Sequence, residues 1–224
     1  DQQGNVYATG GFNHQIRLAN KTLKTKGSDA IAFVVKTNRK GRIEWVLDSL
    51  GTFRIGSGKN IVCDSRGDVC LMTSTSYSLN LISKINRNGS IAWSHTIRGK
   101  ASNYFERLLI DDEDRLYLCG QGYGATFGST EGNTLTYKSI GGTDPFVASY
   151  NTDGVLLWLR AAGGKGTDYL KSISVSNGKL YAFGWFGGEM NFRDTLLKSR
   201  SGYVFWQARF DIDLMSSMDI VAPS

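Results

Sequence analysis

Proline and histidine are each reduced to two residues in a chain of 224. So little proline excludes a polyproline linker, and with only His14 and His95 present a histidine-built metal cluster has too few ligands. Cysteine is scarce as well. Cys63, Cys70 and Cys119 cannot all pair within one chain, and none stands in the paired spacing of a zinc site or a redox motif. Cys63 and Cys70 flank a predicted turn, where they would face each other across a hairpin; the alternative is that all three are small apolar strand residues. Apolar runs stay short: Val155 to Leu159 falls far below the roughly 20 residues that a membrane helix needs. No transmembrane segment is expected.

Catalytic signatures are missing too. No Gly-x-Ser-x-Gly elbow accompanies the two histidines, so a Ser-His-Asp triad has no nucleophile motif. Gly122-Tyr123-Gly124-Ala125-Thr126-Phe127-Gly128 has a faint likeness to a dinucleotide loop, but its last glycine comes one residue late and no helix is predicted after it. Asp111-Asp112-Glu113-Asp114 offers clustered carboxylates to a hard cation, yet consecutive residues do not converge on one ion, and the run reads as a solvated turn. Arg66-Gly67-Asp68 spells an adhesion tripeptide but falls on a predicted turn between strands. The expectation is a protein that is not an enzyme and needs neither metal nor cofactor.

Basic residues outnumber acidic ones by 26 to 20, and the excess lies in the first half. Arg17, Lys21, Lys24, Lys26, Lys36, Arg39, Lys40 and Arg42 face a single acid, Asp29. Such a patch attracts anionic surfaces. No arginine or aromatic platform of a nucleic-acid module accompanies it, so nucleic acid is a disfavoured partner and a solvated, lysine-protected strand edge the favoured reading.

What the chain does have is glycine, 27 residues of it, and 12% aromatics dominated by Tyr and Phe. Many tight turns between strands follow. The turns repeat. Asn38-Arg39-Lys40-Gly41-Arg42-Ile43-Glu44-Trp45 matches Asn86-Arg87-Asn88-Gly89-Ser90-Ile91-Ala92-Trp93 and Asn151-Thr152-Asp153-Gly154-Val155-Leu156-Leu157-Trp158. A degraded fourth copy, Asp211 to Met218, has Leu214 for the glycine and Met218 for the tryptophan. In each, Asn or Asp opens a hairpin turn, Gly supplies a positive φ, and alternation puts an aliphatic residue and Trp on one strand face. A second hairpin alternates with the first: Ile61 to Leu71 aligns with Leu109 to Leu118, and Ile173 to Gly184 repeats it through Asn177-Gly178. Asp1 to Gly10 contains its second half alone. The chain opens without Met or a signal peptide, as a mature or excised segment does.

Each full unit is therefore four short antiparallel strands, a blade that buries both faces only when neighbours stack on it. The expected fold is all-β, a β-propeller of about four blades in this chain with approximate units 1–51, 52–99, 100–164 and 165–224. The first unit lacks a strand, so the segment is expected to belong to a longer chain or to complete its ring with another.

These pieces resemble the bacterial SBBP-type β-propeller repeat: the Asp-x-x-Gly-Asn-Val-Tyr opening, Thr22-Leu23 with Gly27-Ser28-Asp29, Thr134-Leu135 with Gly142-Thr143-Asp144, a poorer Thr195-Leu196 with Gly202-Tyr203, and Gly51, Gly99 and Gly164 each following a Trp. The resemblance covers nearly the whole chain. It implies a secreted, periplasmic or cell-surface bacterial protein that scaffolds or binds a protein partner, and no catalytic residue. Tyr123, Phe127, Trp185 and Phe186, which follow glycine bends, are the candidate partner-binding rim, with ordinary packing between blades as the alternative. The same aromatics stack on sugars, so a lectin-like propeller is the rival reading.

Overall fold

The structure is a computed structural model that describes residues 1–25, 30–48, 57–74, 78–99, 103–192 and 195–216. It is all-β and antiparallel, with eighteen strands and one short helix among the described residues. The chain forms two compact units, Asp1–Thr96 and Ile97–Ser224. No helix among the described residues is long and apolar enough to cross a membrane.

In the first unit, β1 (Val6–Phe12), β4 (Ile31–Thr37) and β5 (Ile43–Leu47) form one sheet in the order β1-β4-β5. A small hairpin of β2 (Gln15–Leu18) and β3 (Lys21–Lys24) is inserted between β1 and β4. The second sheet is a meander of β6 (Ser57–Cys63), β7 (Val69–Ser74), β8 (Leu79–Ile85) and β9 (Ile91–Gly99).

The second unit repeats the scheme. Its first sheet runs in the order β10 (Asn103–Ile110), β11 (Leu116–Gly122), β14 (Asp144–Tyr150), β15 (Leu156–Ala161). The inserted hairpin is β12 (Gly124–Gly128) with β13 (Thr134–Lys138), and β12 also pairs with Ile97–Gly99 at the end of β9. In the last sheet, β16 (Tyr169–Ser176), β17 (Lys179–Phe192) and β18 (Thr195–Asp211), the extra hairpin is fused into two long strands. The Thr-Leu segments therefore belong to these hairpins: Thr22 and Leu23 in β3, Thr134 and Leu135 in β13, Thr195 and Leu196 at the start of β18.

One turn recurs along the chain. Asn38 accepts the amides of Lys40 and Arg42 through Oδ1 at 3.0 and 3.1 Å, while the Gly41 amide bonds its carbonyl at 2.8 Å. Asn151, Asp1, Asp64 and Asp111 each build the same turn with the residues two, three and four positions on. The fourth position has positive φ every time, at Gly4, Gly41, Gly67, Gly89 and Gly154, and at Asp114 where no glycine is present. The acidic run at 111–114 is thus a capped turn. Asp211 to Met218 departs from the pattern: Ile212–Ser216 forms helix α1 instead. Leu214 does not readily take the left-handed conformation the turn requires, whereas a helical turn suits it and puts Asp213 near the positive end. Residues 217–224 lie outside the described residues, so the expected fourth strand of the last sheet is not among the strands described.

Each sheet has a front face, on which Tyr7, Cys70, Tyr117 and Tyr181 hold equivalent register positions, and a back face. In the first unit, Ala32 and Val34 on the front of one sheet share a core with Val69, Leu71 and Ile85 on the back of the next. In the second unit, Tyr117, Cys119, Val147 and Trp158 do the same with Leu170, Ile173, Leu180, Ala182 and Trp206. The tryptophans hold matching places. Trp45 stands opposite Lys36 and packs on Tyr7 with centroids 6.0 Å apart, and Trp158 stands opposite Ser149 and packs on Tyr117 at 5.9 Å. Trp158 is 3% exposed, while Trp45 and Trp93 are half-buried.

Cys63 pairs with Val69 and Val62 with Cys70, so the two thiols point to opposite faces of their sheet. Both are free, as is Cys119.

Candidate functional site

Lys84, 3% exposed, places Nζ 2.8 Å from Asp64 and 3.5 Å from Asp68. Asp68 is committed further by accepting the Arg87 amide at 2.9 Å, so Arg66-Gly67-Asp68 is a turn whose carboxylate is engaged internally. His14 is exposed at a turn, and His95 stacks on Trp93 at 4.9 Å. Among the described residues no group of three or more His, Cys, Asp or Glu side chains is placed to hold a metal. Gly122 to Gly128 is a strand end, a bend and strand β12, with no helix to receive a phosphate.

Asp144 and Asp168 are the buried acids of the second unit, and both fall in Gly-x-Asp triplets, Gly142-Thr143-Asp144 and Gly166-Thr167-Asp168. Asp144 accepts the Ile140 amide at 2.7 Å, and a side chain at Gly163 would collide with its carboxyl group. Burial, reinforced by the neighbouring Asp168 charge, pushes its pKa up to about 7. Asp168 accepts the amides of Gly164 and Gly187 at 2.9 and 3.3 Å, and burial raises its pKa as well. These carboxyls tie glycine loops to the sheets. An apolar pocket of about 70 Å³ lined by Phe146, Leu170, Leu180 and Trp206 lies between the two sheets of this unit.

The basic residues fall in two places. Arg17, Lys21 and Lys24 are exposed on the β2–β3 hairpin, and Arg39, Lys40 and Arg42 are exposed on the β4–β5 turn. Lys26 lies outside the described residues. Lys21 Nζ donates to the Val46 carbonyl at 3.3 Å.

The exposed surface that departs from an ordinary solvated exterior is the front of the last sheet. Alternation along β17 sends Leu180, Ala182, Gly184 and Phe186 to the back and Tyr181, Phe183 and Trp185 to the front. Trp185 is 43% exposed and its cross-strand neighbour Phe205 is 50% exposed, with their rings 5.6 Å apart in an edge-to-face contact. Phe183 packs on Phe205 at 6.0 Å. Tyr203 stands opposite Gly187, where no side chain intervenes, and reaches Tyr169 at 5.7 Å. Tyr169 is itself the register partner of Trp185. Its pKa is raised by partial burial and by Tyr203, with Tyr123 and Tyr104 close enough to contribute. Lys171 Nζ lies 5.3 Å over the Tyr169 ring and 3.4 Å from Glu106.

Glycine creates the geometry here. A side chain at Gly184 would strike the Tyr169 carbonyl, and one at Gly120 would strike the Tyr104 carbonyl; both tyrosines lie at a bulged start of their sheet's first strand.

Two of the four rim residues expected from sequence are exposed: Trp185 in this face, and Tyr123 in the bend between β11 and β12. The other two are corrected. Phe127 is fully buried against Phe146 at 5.3 Å, and Phe186 faces the core shared with Trp206. Both lie on inward strand positions, which alternation from Ala125 and from Leu180 already indicates. Tyr104, Tyr169, Phe183, Tyr203 and Phe205 were not among the rim residues expected, although Phe183 and Phe205 fall on the outward alternation.

No family model matches the sequence, and a search of curated proteins finds no match.

Proposed function

We propose that this chain is a run of SBBP-type β-propeller blades, serving as a non-catalytic scaffold or protein-binding module of a secreted, periplasmic or cell-surface bacterial protein. The repeated capped turn, the antiparallel meanders of three or four strands and the front-to-back packing found in both units support the propeller reading. The observation that carries the binding role is the clustering of Tyr169, Phe183, Trp185, Tyr203 and Phe205 on one open sheet face. Large rigid aromatics with a polar tip contribute contact area at low entropic cost, which is why they dominate the anchors of protein interfaces. A benzophenone amino acid in place of Phe205, introduced in the source organism, is expected to give discrete protein adducts on illumination. Illumination that yields no adduct counts against protein binding.

The lectin-like reading rests on the same tyrosines, since Tyr169 and Tyr203 meet beside the polar pair Lys171 and Glu106. A glycan array separates the two. Defined hits that disappear on Trp185→Ala favour the sugar, and a blank array favours the protein partner.

A further inference from the structure

We propose that the front of the last sheet docks onto the back of the first sheet, around Val6, Ala8 and Phe33, of a second copy of this chain. The inference rests on the binding role assigned above to the aromatic face, and names its occupant.

Both units use one interface, the front of one sheet against the back of the next. The register identifies which residues belong to each half. Gly184 pairs with Trp206 as Gly120 pairs with Phe146, so Phe183 and Trp185 hold the places of Cys119 and Gln121. Cys119 and Gln121 are buried, and so is Met72 at the Cys119 position in β7. At the same positions in the last sheet, Phe183 and Trp185 are exposed. The front half of the interface is therefore built there and uncovered.

The back half is uncovered elsewhere in the same chain. Gly10 pairs with Phe33 as Gly184 pairs with Trp206, so Val6 and Ala8 hold the places of Leu180 and Ala182. Leu180, Leu116 and Val69 are buried at that first position, whereas Val6 is 61% exposed and Ala8 is exposed. Valine and alanine on an open sheet face have no solvation advantage, and they match the small and branched residues that Tyr117 and Cys119 already cover in the second unit. One chain thus carries both halves of an interface it makes twice internally. The two halves are different surfaces, so the contact is heterologous and continues from copy to copy until it closes on itself.

Sedimentation velocity on the purified chain tests this, with Trp185→Asp and Ala8→Arg as variants. Both positions are exposed, and near-ultraviolet circular dichroism checks that each variant keeps its fold. The wild type is expected to associate reversibly with rising concentration and to pass beyond the dimer. Each variant alone should associate at least about thirty-fold more weakly, because a central interface aromatic or a charge buried in an apolar contact is worth that much. A mixture of the two variants retains one good half of each kind and should stop at a one-to-one dimer. A wild type that stays monomeric overturns the self-docking while the cross-linking at Phe205 still decides the binding role. Association that survives Trp185→Asp likewise overturns the self-docking and leaves the binding role to the cross-linking.

Discussion

Replacing Lys84 with methionine tests how the first unit is held together. Lys84 Nζ lies 2.8 Å from Asp64 Oδ2, and the two side chains are 3% and 1% exposed. Asp68 lies 3.5 Å from the same nitrogen. Lys84→Met keeps the length of the side chain and removes the cation, leaving a buried carboxylate beside a second one. Breaking a buried pair from one side costs about 3–5 kcal/mol. Two features place this case toward the low end. Asp64 Oδ1 keeps the amide bonds from Arg66 and Asp68, and the Arg66 guanidinium stands 3.7 Å from Asp64, though at 59% exposure water screens it. About 3 kcal/mol is a large fraction of a domain's stability, so the urea midpoint should fall sharply, with β7 and β8 losing amide-exchange protection. The second arm is Lys84→Met with Asp64→Asn. The asparagine retains the oxygen that caps the turn and carries no charge, so the double variant should recover a substantial part of the loss. If Lys84→Met costs less than about 1 kcal/mol, or the double variant is no better than the single one, the pair is not the anchor described here.

Trp158→Ala should cost about 3–5 kcal/mol by urea denaturation, and Trp93→Ala clearly less, because one ring is buried and the other half-buried; equal losses would contradict the packing assigned to them. Asp144, with its pKa raised to about 7, keeps in the folded state a proton that the unfolded chain releases. Its contribution to stability therefore declines as pH rises from about 4 to about 7, so Asp144→Asn should gain on the wild type across that same window and hold the gain above it, as read by paired urea titrations. Gly184→Ala forces a methyl group onto the Tyr169 carbonyl and the Leu170 backbone, and should destabilise by at least about 1–3 kcal/mol in thermal denaturation; a neutral result would mean that the bulged start of β16 is not packed as described.

The hairpin turns were readable because their chemistry is local. An Asn or Asp that caps two amides and a glycine at positive φ leave a four-residue signature, seen at Asn38 and Asn151. Asp114 shows where the signature stops, since an aspartate holds the glycine's conformation without advertising it. The β2–β3 and β12–β13 hairpins were harder, because Thr22-Leu23 and Thr134-Leu135 are ordinary strand residues whose partners are set by tertiary pairing. In the candidate site, proximity to a glycine proved a weaker guide than alternation. Trp185 and Phe186 both follow Gly184, yet one points out and the other in, as counting from Leu180 requires. Tyr169 and Tyr203 lie 34 positions apart in sequence and meet because Gly187 leaves room between them, a coincidence that strand pairing alone creates. The same holds for Asp144 and Asp168, whose shared burial needs both loops in place.

Hydroxyl-radical footprinting tests the central claim most directly, by comparing the dilute purified chain with the protein in its native assembly. Trp185, Tyr203 and Phe205 should oxidise readily in the dilute chain, while Trp158 and Trp206 stay protected, as their exposures require. In the native assembly the first three should become protected together. Oxidation of Trp185, Tyr203 and Phe205 at undiminished rates in that assembly would show that nothing binds this face, and would contradict the account.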